Sequence, residues 1–116
     1  DALATAQAPE RIERGFAEQA RRTPSAIAIS SADDRITFAE LDARANRIAN
    51  TLAARGVRPG DWVGLCLPRG IDLVAALLGV LKAGAAYVPL DPAFPLQRLR
   101  DMAEDAGLAL LLSDED

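Results

Sequence analysis

Few side chains in this sequence have the type and spacing that chemistry needs. Histidine is absent, which removes every imidazole-based triad and most zinc sites. The one thiol, Cys66, stands inside the apolar run WVGLCL with no imidazole to take its proton. It reads as a buried core residue and not as a nucleophile. Asp33 and Asp34 are adjacent carboxylates in a polar stretch; two neighbours on one turn are weak ligands for a cation, and a solvated turn is the plainer reading. Asp101, Glu104 and Asp105 form an acidic helix face beside Arg98 and Arg100. Arg100 and Glu104 are four apart, the spacing of an exposed ion pair.

The segment Gly79 to Gly84 (GVLKAG) is the nearest approach to a phosphate-binding loop. It lacks the Lys-Ser/Thr that should follow the second glycine, and its first glycine falls in mid-helix. Helix packing and a C-terminal stop explain it better. Trp62, the single tryptophan, reads as a core or strand-edge residue and not as a stacking platform. On these grounds no residue is assigned a catalytic, cofactor-binding or metal-ligating role.

The elements around these residues are clearer. The 116 residues are half hydrophobic and about a quarter charged, with net charge −4 and both signs mixed along the chain. That composition is globular and offers no footprint for nucleic acid or an anionic membrane. A chain of this length buries roughly 60–70% of its unfolded surface, enough for a modest core. With one cysteine no internal disulfide is possible, and a cytoplasmic setting is expected. No apolar run approaches the ~20 residues of a membrane span; Leu73 to Leu81 is closed by Lys82 and Gly84. The chain opens on Asp1 without a signal-peptide pattern, as a piece cut from something longer would.

Asp1 to Ala8 is small and polar and reads as a linker, with 9–116 as the folded part. Pro9 suits a first helical turn, Ile12, Phe16 and Ala20 make an apolar stripe, Arg14 can pair with Glu18, and Thr23-Pro24 ends the helix. Ala26–Ser30 and Ile36–Phe38 read as a short hairpin around the polar turn 32–35. Thr37 and Glu40 have capping-box spacing ahead of a long helix striped by Phe38, Leu41, Ala45, Ile48 and Leu52, with Gly56 as its stop. Trp62–Leu67 is a strand apolar on both faces. Ile71–Lys82 is a helix apolar nearly all round, stopped at Gly84. Ala85–Leu90 is a strand cut short by Pro89, parallel to the previous one through a right-handed crossover. The stiff turn 91–95 leads to a helix striped by Leu96, Leu99, Met102 and Ala106, and Leu108–Leu112 is a third buried strand. The fold class is therefore α/β: a short β-hairpin followed by a β-α-β-α-β parallel sheet unit.

Two stretches go beyond composition. Ile36-Thr37-Phe38-Ala39-Glu40-Leu41 followed by Asp42 to Ala49 resembles the opening core motif of nonribosomal peptide synthetase adenylation domains. Leu81 to Pro92 (LKAGAAYVPLDP), continuing to Pro95 and Arg98, is similar, nearly residue for residue, to that family's second core motif. Arg22-Thr23-Pro24 and Gly56-Val57 with Pro59-Gly60-Asp61 fit it as well, so the resemblance covers about Ile12 to Ser113. Phe38 and Phe94 stand where the family often has tyrosine. A phenyl ring keeps the packing and drops one hydroxyl hydrogen bond.

The resemblance implies part of the large amino-terminal subdomain of an adenylate-forming enzyme. The parent would join an amino acid to ATP, giving aminoacyl-adenylate and pyrophosphate, with magnesium shielding the phosphates. The acyl group would then pass to the phosphopantetheine thiol of a carrier domain. Its expected partners are the rest of the adenylation domain and neighbouring condensation and carrier domains, with no nucleic acid or membrane. The family's Ser/Thr/Gly-rich phosphate loop, substrate pocket and C-terminal lysine have no counterpart in this sequence. The 116 residues alone are thus expected to be inactive, to bind none of these cofactors, and to leave a sheet edge uncovered. An acyl- or aryl-acid-CoA ligase and a non-catalytic α/β interaction module are the alternatives; the full LKAGAAYVPLDP string favours the amino-acid branch.

Overall fold

The computed structural model describes residues 15–30 and 34–113. Helix α1 is described over residues 15–22; Pro9, Ile12 and Arg14 lie outside the described residues, and with them the expected Arg14–Glu18 pair. Glu18 is instead held by Arg21 and by Arg22, whose Nε lies 3.4 Å from its Oε2. Phe16 faces inward, its ring 5.7 Å from that of Phe38, and Ala20 is buried. The Thr23 hydroxyl donates to the carbonyl of Gln19 at 3.2 Å, closing the last turn before Pro24.

Strands β1 (Ile27–Ser30) and β2 (Arg35–Thr37) pair antiparallel, with a register irregularity between Ile27 and Ile29. Residues 32 and 33 of the expected polar turn 32–35 lie outside the described residues. Phe38 does not extend β2, as the hairpin reading would require; it is the first residue of α2 (Phe38–Ala54). The reason is the cap. The Thr37 hydroxyl accepts from Glu40 N–H at 3.1 Å, and Glu40 Oε1 accepts from Thr37 N–H at 2.9 Å. The reciprocal pair satisfies two donors that the helix cannot, and fixes the helix start one residue after Thr37. Leu41, Ala45 and Leu52 form the buried stripe of α2.

Strand β3 (Trp62–Cys66), α3 (Ile71–Lys82), β4 (Ala86–Pro89), α4 (Leu96–Ala106) and β5 (Leu110–Ser113) follow. β3 lies between β4 and β5 and is parallel to both. The fold is α/β as expected. Period-two alternation in β3 serves two layers. Val63 and Leu65 join Leu52, Ala76 and Val80 beneath α2 and α3, while Cys66 joins Leu90 and Leu99 beneath α4. α3 has seven buried residues among its twelve, as a helix with neighbours on most sides should.

Two expectations need correction, those for β5 and α4. Strand β4 ends at Pro89 as expected; Pro89 stands in register with Leu65, and Leu90 N–H adds one further bond to the Leu65 carbonyl at 2.9 Å. Among the described residues β4 has one neighbour, and an edge strand tolerates a residue without an N–H. β5 is only half-buried throughout, because it too lies at an edge. On α4, Leu99 is buried but Leu96 is 58% exposed and Ala106 is exposed; the inward face is Leu99, Met102 and Ala103, at three- and four-residue steps. Trp62, at the start of β3, is 50% exposed, which favours the strand-edge reading over the core one.

Candidate functional site

The groups that could do chemistry are scattered by this fold. Cys66 is 3% exposed and packs against Leu90 and Leu99. Asp34 is exposed at the start of β2, where its Oδ1 accepts from the N–H of Arg35 at 2.8 Å; Asp33 lies outside the described residues. Asp101 accepts from Gln97 Nε2 at 3.0 Å, while Arg100 and Glu104 are both exposed and make no ion pair among the described residues. Among the described residues no group of three or more Cys, Asp or Glu gathers as metal ligands would. No helix there is long and apolar enough to cross a membrane.

The glycines of GVLKAG have architectural work. A Cβ on Gly79 would fall 2.6 Å from Ile48 Cγ2 and 3.0 Å from the Ala45 carbonyl oxygen, so this glycine lets α3 lie against α2. Gly84 has φ +81 and lies beside Pro59. That left-handed conformation ends α3 and turns the chain into β4. Asp91 then holds the exit loop, its Oδ1 accepting from Ala93 N–H at 2.9 Å and its carbonyl from Phe94 N–H at 3.1 Å. The guanidinium of Arg98 stacks over the Phe94 ring at 5.0 Å, a contact available to phenylalanine as to tyrosine.

The loop Pro68–Gly70 delivers β3 into α3. Gly70 caps the helix without a side-chain hydrogen bond, leaving backbone N–H groups of the kind that attract anions. Asp72 stands in the first turn and is bound by Arg44 at 3.0 Å. A phosphate there would meet that carboxylate. At the carboxyl ends of β3 and β5, where α/β folds commonly place ligands, Cys66 and Ser113 stand in register. The pocket beside them measures about 120 Å³ and is walled by Phe94, Leu99 and Leu111. It is small and largely apolar.

A wider opening among the described residues is a groove of about 670 Å³ between α2, the start of α3 and β5. Its lining includes Leu52, Leu67, Ala76, Leu110 and Leu112, with Arg44, Arg47 and Arg55 along one wall. Sequence reasoning missed this arginine row. Its signal was the spacing of Arg44 and Arg47 on α2 and Arg55 at its C-terminal cap, which puts them on neighbouring faces. It also missed the ion pair between Lys82 Nζ and Asp42 Oδ1, at 2.9 Å, which joins the two family-like motifs.

The comparisons with known proteins agree with this architecture. The family described as "AMP-binding enzyme" matches residues 16–116, and the chain belongs to that family. It is 46% identical over 100 residues to malpinin synthetase of Mortierella alpina, covering 86% of this chain and 1% of that protein. The AMPPNP-bound crystal structure of the nonribosomal peptide synthetase FmoA3 matches with TM-score 0.82 and 46% identity, over 87% of this chain and 11% of that one. O-succinylbenzoate coenzyme A synthetase (MenE) of Bacillus subtilis, in complex with AMP, matches with TM-score 0.76 and 33% identity, over 85% of this chain and 26% of that one. The chain thus spans a small part of the relatives it resembles. The resemblance to the amino-terminal part of a synthetase adenylation domain is borne out.

Proposed function

We propose that the chain is framework from an ATP-dependent, amino-acid-activating adenylation domain of a nonribosomal peptide synthetase. The observation that carries the reading is the segment Leu81–Pro92. It forms the end of α3, the glycine joint and β4, in a chain 46% identical to the matched part of a nonribosomal peptide synthetase. In the parent, the amino-acid carboxylate would attack the α-phosphorus of ATP and expel pyrophosphate. A carrier-domain phosphopantetheine thiol would then take the aminoacyl group and release AMP. Magnesium would accompany the nucleotide.

The reading assigns no step of that reaction to the described residues. Their part is to hold a parallel sheet between α2–α3 and α4. Residues 1–8 are read as linker from an upstream domain such as a condensation domain, 9–116 as adenylation domain, and the setting as cytoplasmic. The 33% identity to a coenzyme A synthetase keeps an acyl- or aryl-acid ligase as the second reading; the higher identity to peptide synthetases favours the first.

Pyrophosphate exchange into ATP, measured on the parent protein with each amino acid in turn, decides between them. Exchange stimulated by one or a few amino acids is the expected result. Stimulation by an aryl or acyl acid alone, with coenzyme A as acceptor, would overturn it.

A further inference from the structure

We draw no further inference here: the strongest candidate, the opening of about 350 Å³ that Arg35, Arg44 and Arg47 line between β2, α2 and the start of α3, carries nothing, because Arg44 is already paired with Asp72 and nothing in the structure shows what covers the exposed Arg35 and Arg47.

Discussion

Lys82 Nζ lies 2.9 Å from Asp42 Oδ1, with the two side chains only 14% and 27% exposed. The pair joins the end of α3 to the first turns of α2, the largest helix–helix contact of the fold. The same Oδ1 is buried and accepts no aligned hydrogen bond among the described residues, so the contact is an ion pair alone. A half-buried pair of this kind matters most when it is broken, because the survivor keeps its desolvation cost. Lys82→Met is expected to destabilise the adenylation domain by about 1–3 kcal/mol, since it strands a buried carboxylate oxygen. Adding Asp42→Leu should restore most of that loss. Thermal unfolding of the two single variants and the double variant gives the coupling; purely additive losses would show that the pair does not stabilise the helix contact.

Two glycines offer a contrast in which distance alone misleads. A Cβ on Gly79 or on Gly64 would in either case meet its nearest neighbour at 2.6 Å. At Gly64 the neighbours are the terminal carbons of Leu108, Leu111 and Leu90, which can rotate away. At Gly79 they are the branched Cβ and Cγ2 of Ile48 and the carbonyl oxygen of Ala45, which cannot move without the helix. Gly79→Ala gains about 1 kcal/mol of helix propensity but overpacks the α2–α3 contact by about 1–3 kcal/mol, and a net loss of stability is expected. Gly64→Ala is expected to lie within about 1 kcal/mol of the parent. Denaturant midpoints of the two variants check the order; the reverse order would show that the helices can part more easily than the leucines can turn.

What made α2, α3 and β3 legible was periodicity backed by chemistry at their ends. The Thr37–Glu40 box and the Gly84 stop each act within a few residues, so sequence spacing carries them. Strand order is different. Nothing local in Leu110–Ser113 says that β5 sits beside β3 with its other edge open, so an apolar run reads as full burial. The same limit hid the partner of Lys82, because Asp42 lies on another helix, and hid the arginine wall, because its groove exists only once α2 meets β5.

The helix start at Thr37 should be worth about 1 kcal/mol. Thr37→Ala removes the acceptor for Glu40 N–H, at 3.1 Å, and is expected to lower stability by that amount. Thr37→Ser keeps the acceptor and should restore most of it. Glu40→Gln retains the reach back to Thr37 N–H and should cost less than Thr37→Ala. Urea unfolding separates these variants. Equal losses for alanine and serine would mean that the methyl group, and not the cap, carries the effect.

Cys66 distinguishes a structural thiol from a reactive one. It is 3% exposed, in a strand whose alternate residues face α4, and the sequence holds no histidine to activate it. A thiol reagent is therefore expected to label it slowly in the folded domain and rapidly in denaturant. Cys66→Ala, which leaves a small void, should retain the pyrophosphate exchange of the parent with a modest fall in melting temperature. Cys66→Ser buries a hydroxyl in place of the thiol and should cost more stability, about 1–3 kcal/mol. Rapid labelling of the folded protein with loss of exchange, while the alanine variant stays folded and inactive, would return Cys66 to the reacting groups. The expected outcome keeps it where the packing puts it, between Leu90 and Leu99 under α4.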